Sequence, residues 1–199
     1  MNPPRPLVLV HGLGDTPQVF RRLEQRLDQH RIARLAPHLP HRLGAVPLRD
    51  LARLLETHIK ARWGREEIDL LGFSMGGVIG RIWLQELGGA QRCRRFISVG
   101  SPQQGTYTAQ PVPRWLFAGI ADMKRNSPLL QHLNAECSAL QTVDCVSLYS
   151  RWDLMVVPGW EAVLPVGDRQ EVPVVTHDQL MGHPRAINQL IRIILKPLF

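Results

Sequence analysis

The sequence predicts an α/β fold with about six mostly parallel strands flanked by helices on both faces, formed as one domain over residues 1–199. Three observations predict it. Short β-rich runs alternate with longer amphipathic stretches, the pattern of a parallel sheet covered by helices. The first run, Leu7-Val8-Leu9-Val10, is apolar at every position, as a strand buried on both faces must be. A 199-residue chain that is 44% hydrophobic and 21% charged can bury a full core, and it shows no repeat, low-complexity tract or interdomain linker.

The elements follow in order. A strand at residues 6–10 leads into the turn His11-Gly12-Leu13-Gly14-Asp15-Thr16-Pro17, where Thr16 and Pro17 form an N-cap and first-position pair. The helix they open carries Val19, Leu23 and Leu27 at helical spacing, and a weaker strand spans residues 32–35. Residues 36–47 read as a loop. Residues 48–63 read as a helix with Leu51, Leu54, Leu55 and Ile59 on one face, closed by Gly64. A third strand, 68–71, enters a Gly-rich turn and a helix over 75–87 that Gly88-Gly89 ends. A fourth strand spans 95–99. The long connection 100–142 holds two candidate helices, one near Trp115, Leu116 and Phe117 and one opened by Ser127-Pro128. Strands at 143–149 and 172–175 and a last helix over 184–195 complete the chain.

Composition excludes several classes. No apolar run approaches the roughly 18 residues of a membrane-spanning helix. The start, Met-Asn-Pro-Pro-Arg-Pro, lacks the pattern of a secretory signal, so the expected location is cytoplasmic. Cys93, Cys137 and Cys145 are odd in number and have no CxxC spacing, which predicts buried free thiols, not disulfides or a zinc site. The net charge of +7 raises nucleic acid and anionic surfaces as partners. The arginines are spread along the chain, however, and the tightest cluster, Arg92, Arg94 and Arg95, has no interleaved aromatics. No nucleic-acid partner is expected; weak contact with an anionic membrane surface is retained as a candidate, and the oligomeric state is not legible.

Gly72-x-Ser74-x-Gly76 matches the nucleophile elbow, a sharp strand-to-helix turn that lifts a serine hydroxyl above the sheet. Three fixed positions of this kind match by chance in about one such chain in twenty, so context carries the reading. Here an apolar strand precedes the motif and a helix follows it. A structural Gly-Ser turn is the alternative.

A serine hydroxyl needs a histidine base, itself oriented by a carboxylate. On an elbow of this kind the acid and then the base follow the serine in the chain. Only His177 and His183 lie beyond the late acids. His177 directly follows the strand predicted at 172–175, the strand-end position favoured for a base. His183 precedes Pro184, where capping the last helix is its ordinary role, and it stands as the alternative base. Asp153 lies just past the strand at 143–149 and is the candidate acid. Asp144 is at the wrong end of that strand, Asp168 sits in a Gly-Asp turn, and Glu161 is far beyond the strand end. Asp69, inside the third strand, reads as a structural or edge carboxylate. The oxyanion requires two backbone N–H donors, assigned to Met75, next after the serine, and to Leu13 in the loop after the first strand. His11 reads as a buried histidine holding that loop.

These segments, together with Gly100-Ser101-Pro102-Gln103-Gln104-Gly105-Thr106, Asp153-Leu154-Met155-Val156-Val157-Pro158 and Thr176-His177-Asp178-Gln179-Leu180-Met181, resemble the α/β hydrolases. Within them the chain is most similar to the small bacterial triacylglycerol lipases and esterases. The resemblance runs from about residue 6 onward and implies a compact α/β-hydrolase fold without the leading antiparallel strands of larger members. It implies a Ser74, Asp153 and His177 triad, an acyl-enzyme intermediate, a small-molecule or lipid ester as substrate, and no metal or cofactor. The 100–142 connection differs from the shortest members and is a candidate cap or acyl-binding wall, with Trp115, Phe117 and Val156 as candidate substrate-binding residues. Core burial is the competing reading of its apolar run. A thioesterase or other acyl hydrolase, and a non-catalytic binding module docking on anionic membranes, are the alternatives.

Overall fold

In a computed structural model residues 5–197 are described; the first four residues, on which part of the signal-sequence reading rests, lie outside them. Six strands form one parallel sheet in the order β2-β1-β3-β4-β5-β6, with β1 Leu7–Val10, β2 Arg34–Leu35, β3 Ile68–Phe73, β4 Cys93–Val99, β5 Asp144–Tyr149 and β6 Asp168–Glu171. Helices α1 (Arg21–Leu27), α6 (Gln179–Gly182) and α7 (Pro184–Leu195) cover one face. Helices α2 (Leu48–Trp63), α3 (Met75–Glu86) and α5 (Pro128–Ala135) cover the other, with α4 (Ala118–Asp122) leading into α5.

Alternation along the strands builds the two cores. Val8 and Val10 enter the cluster beneath α2 and α3, while Leu7 and Leu9 enter the one beneath α1 and α7. Leu70 and Phe96 join the first and Leu71 and Ile97 the second. The apolar reading of the early strands thus describes burial on both faces.

The structure shifts several elements. The last strand is β6, and residues 172–175 are irregular. Pro173 has no N–H to give to a ladder, and Val172 and Val174 are apolar because they are buried in the core beneath α7. Asp168 begins β6 just after Gly167, so it is not part of a free turn. Thr16 makes no side-chain cap; a 3-10 turn over Pro17–Phe20 precedes α1, with Pro17 at its first position.

Within the arginine cluster Arg94 is exposed and Arg92 half-buried, but Arg95 is not part of that surface. Arg95 lies inside β4 and is buried. Its Nε donates to Asp144 at 2.7 Å, and its Nη1 donates to the carbonyls of Ile193 at 2.5 Å and Lys196 at 2.8 Å. It thereby satisfies carbonyls that the C-terminus of α7 leaves open. Cys93 and Cys145 are buried and Cys137 is half-buried, all three free; burial pushes the Cys145 thiol up to about 12.

Asp69 sits on the central strand β3, not at an edge, and desolvation pushes its carboxyl up to about 6 from 3.8. Arg5 and Arg95 oppose that rise without cancelling it. A carboxyl raised in the folded state binds its proton more tightly there, so its contribution is fully present below about pH 4 and lost as pH rises toward 6. Asp69→Asn is therefore expected to raise stability at pH 7.5 by on the order of 2–3 kcal/mol and to change it little at pH 4. Urea unfolding at the two pH values measures this; a loss at pH 7.5 that exceeds the change at pH 4 would show that the carboxylate is needed in its charged form.

Candidate active site

The parallel register brings the C-terminal ends of β1, β3, β4 and β5 to one edge, where the loops carrying the predicted residues meet. Ser74 stands between β3 and α3 with φ 55° and ψ −127°, an uncommon conformation for a residue with a side chain. Its N–H donates to the Val99 carbonyl at 2.8 Å. The turn is tight enough to demand glycine at 76, where a Cβ would meet the Val10 carbonyl oxygen at 2.0 Å.

Asp153 follows β5 and is buried. Its Oδ1 accepts the N–H groups of Met155 at 2.8 Å and Val156 at 3.1 Å, which leaves Oδ2 for His177 Nδ1 at 2.7 Å. The loop itself is tied down by Ser150, whose hydroxyl donates to the Val174 carbonyl at 2.5 Å and accepts the Trp152 N–H at 3.2 Å. The imidazole of His177 stacks on Phe73 with ring centroids 4.8 Å apart. Its Nε2 is buried without a partner, and His177 and Ser74 line one cavity of about 610 Å³. His183 is not in that lining; its Nδ1 accepts the Arg185 N–H at 3.2 Å and caps α7.

Met75 is the first residue of α3, so its N–H has no acceptor within the helix and lies at the positive end of the helix dipole. Leu13 lines the cavity from the opposite loop. His11 holds that loop as the sequence suggests. Its Nε2 accepts the Leu39 N–H at 3.0 Å, which leaves Nδ1 to donate to the Gly12 carbonyl at 3.0 Å. Fixing the Gly12 carbonyl also fixes the Leu13 N–H, because a trans peptide points the two in opposite directions. Burial, and then the nearby His41 and His38, lower the pKa of His11 and keep it in the neutral form this pair of bonds requires.

The 100–142 connection supplies one wall of the cavity through Pro102, Thr106, Ala109, Val112, Ile120 and Met123. Val156 lines it too, whereas Trp115 and Phe117 do not. Arg114 pairs with Asp122 at 2.7 Å, and Asp122 accepts the Leu48 N–H at 3.1 Å. Both bonds hold this segment against the start of α2 and leave Trp115 outside, 85% exposed. The wall is stapled to the acid loop by Thr106, whose hydroxyl donates to the Met155 carbonyl at 3.0 Å and accepts the Val157 N–H at 2.9 Å. Two lining residues, Asp15 and Asp178, lie inside the segments 11–17 and 176–181, where the sequence assigns them no role. Among the described residues no cluster suited to a metal ion occurs, and no helix is long and apolar enough to cross a membrane.

No curated protein matches the chain in sequence. Solved structures do match in fold. The mature form of the Bacillus licheniformis lipase BlEst2 superposes with a TM-score of 0.79 at 14% identity, covering 98% of this chain and 93% of that one. An α/β hydrolase enzyme from the metagenome of lagoon sediments at Mar Chica, Morocco, gives 0.71 at 19% identity, with 95% and 89% covered. The RedJ thioesterase of Streptomyces coelicolor gives 0.65 at 16% identity, with 97% and 85% covered. At these identities the likeness is one of fold. A family match described as alpha/beta hydrolase fold spans residues 5–171, from β1 through the elbow and the acid loop to β6. With that span matched and the six-stranded parallel sheet in place, the chain belongs to the alpha/beta hydrolase fold family.

Proposed function

We propose that the protein is a serine carboxylic-ester hydrolase with Ser74 as nucleophile, His177 as base and Asp153 as orienting acid. The observation that carries this reading is the imidazole of His177. One nitrogen is held by Asp153 at 2.7 Å, and the other is unpartnered in the cavity that Ser74 shares.

Ser74 Oγ gives its proton to His177 Nε2 as it bonds to the ester carbonyl carbon. The carbonyl oxygen becomes an anion facing the Leu13 and Met75 N–H groups. Collapse of this intermediate expels the alcohol, which takes the proton from His177 and leaves an acyl-serine. A water molecule then gives a proton to His177 and attacks the acyl carbon, and the second collapse releases the acid and returns the proton to Ser74. Ala109, Val112, Ile120, Met123 and Val156 offer an apolar acyl group its wall, and the exposed Leu154 and Met155 stand at the mouth. A reducing compartment such as the cytoplasm belongs to the same proposal, supported by three free cysteines.

A fluorophosphonate probe is expected to label the wild type and not Ser74→Ala, and hydrolysis of chromogenic esters is expected to fall by about 10⁴-fold or more in that variant. Equal labelling of both proteins would end the assignment of Ser74, and labelling of neither would favour a binding module. Labelling without turnover of any ester would direct attention to thioesters.

A further inference from the structure

On the mechanism above, His177 gains and loses a positive charge twice in each turnover, and it does so almost out of water, its side chain being 9% exposed. Burial penalises the charged form of an imidazole, so the groups that touch the ring decide how readily it takes the proton of Ser74. Asp153 meets one edge of the ring at Nδ1, 2.7 Å away. The Cε1 edge stands against Gly100, where a Cβ would come within 3.2 Å of it. A face of the ring is covered by Phe73, with ring centroids 4.8 Å apart and an interplanar angle of 28°.

Phe73 is the last residue of β3 and is fully buried. Strand alternation sends it with Leu71 into the core beneath α1 and α7, and the elbow then turns the next residue, Ser74, to the cavity. Neighbours in the chain thus supply the nucleophile and the floor on which its base rests.

We propose that Phe73 is a positioning residue whose ring also steadies the charge of the base: its negative face holds the imidazolium of His177 more tightly than the neutral imidazole, and so favours proton transfer from Ser74. The proposal rests on the ester-hydrolase reading and adds a residue to its machinery.

Three observations support it. The separation lies within the roughly 6 Å over which a cation is drawn to an aromatic face. The near-parallel rings set the imidazole over that face; the positive rim of an edge-on ring would oppose the charge. Both side chains are shielded from water, where this attraction is strongest, and among the described residues no other aromatic ring stacks on His177. A leucine at position 73 would desolvate the imidazole equally and return no such attraction.

The charged groups that face the imidazole are Asp153 from the loop after β5, Asp15 from the loop after β1 and Asp178 next in the chain; no arginine or lysine lines the cavity. All three carboxylates favour the imidazolium, and a change confined to the face of Phe73 leaves them as they are.

The test replaces Phe73 by 4-fluoro-, 3,5-difluoro- and 3,4,5-trifluorophenylalanine, which nearly keep the shape of the ring while draining negative charge from its face step by step. Turnover of a chromogenic ester is measured on proteins that retain Ser74. Protonation of His177 is followed by NMR of labelled imidazole in Ser74→Ala, the signal being assigned by its loss in His177→Gln. Along the series the midpoint of protonation is expected to move to lower pH by about one unit in all, the direction required when the charged form loses support. With the proton only partly transferred in the transition state, kcat is expected to fall by about fivefold, and KM to stay within about twofold. Phe73→Leu, which removes the face altogether, is expected to do at least as much. A midpoint that stays in place across the fluorinated series would overturn the proposal and leave Phe73 as packing. So would a fall in kcat confined to Phe73→Leu. Turnover of no ester by the wild type would instead count against the hydrolase reading, while the NMR midpoints would still decide what the ring does.

Discussion

Asp153→Asn is expected to lower ester turnover by about 10⁴-fold while leaving the fold in place. The carboxylate of Asp153 does two jobs with two oxygens. Oδ1 accepts the Met155 and Val156 N–H groups, and an asparagine amide oxygen can do the same. The amide nitrogen then takes the position of Oδ2 and presents N–H, where the carboxylate accepted a bond from His177 Nδ1 at 2.7 Å. The imidazole answers by moving its proton to Nε2 so that Nδ1 can accept. Nε2 then carries a hydrogen toward the cavity and cannot take one from Ser74. Thermal unfolding and kcat measured on the same preparation check this. A loss of activity matched by a collapse in melting temperature would mean that the residue acts by holding the loop. An unchanged kcat would remove Asp153 from the site.

The largest loss of stability is expected from Arg81→Met. Arg81 lies in α3, is fully buried, and has no carboxylate partner; burial lowers its pKa, although a guanidinium stays charged. Its donors go to Gln85 Oε1 at 2.7 Å, the Gln103 carbonyl at 3.0 Å, the Leu133 carbonyl at 2.9 Å and Asn134 Oδ1 at 2.8 Å. The planar fork thus ties the loop after β4 and the last turn of α5 to the helix that begins at the nucleophile. Methionine fills similar space but strands the buried Gln103 carbonyl, which costs about 1–3 kcal/mol, while the Leu133 carbonyl keeps the Gln85 side-chain amide at 2.8 Å. The melting temperature is expected to fall by roughly 5 °C. Because Gln103 adjoins the cavity wall at Pro102, KM for long acyl esters is expected to rise as well. Arg81→Lys is expected to recover only part of the loss, since one ammonium cannot span these acceptors. A melting temperature within about 2 °C of the wild type would show that water or relaxation satisfies the Gln103 carbonyl.

Local pattern made most of this fold readable. α2 and α7 begin and end where the apolar spacing and Pro184 place them, and β1 shows in its sequence the double burial that the two cores require. The elbow is legible because its chemistry is contiguous: Gly72, Ser74 and Gly76 carry their own geometry. What was hidden depends on partners far along the chain. Val172 and Val174 look like strand residues, yet their burial comes from packing beneath α7, and the strand itself is the polar edge segment beside them. Trp115 and Phe117 look like an acyl wall, but the bonds from Arg114 to Asp122 and from Leu48 to Asp122 turn that stretch outward. Arg95 is charged and has arginine neighbours, and nothing local announces that it closes the end of α7 some hundred residues later. Asp15 and Asp178 were visible as letters inside assigned motifs; their meeting in one cavity belongs to the tertiary structure.

The strand order has one more consequence. After β1 settles between β2 and β3, every later strand adds to the same growing edge, so the sheet can be laid down in the direction of the chain. Ser74 belongs to its early half, Asp153 to a loop near its far side, and His177 to the segment just before the last two helices. Because the base sits in the last loop before α6 and α7, a chain cut short before that segment carries an unarmed serine however complete its sheet.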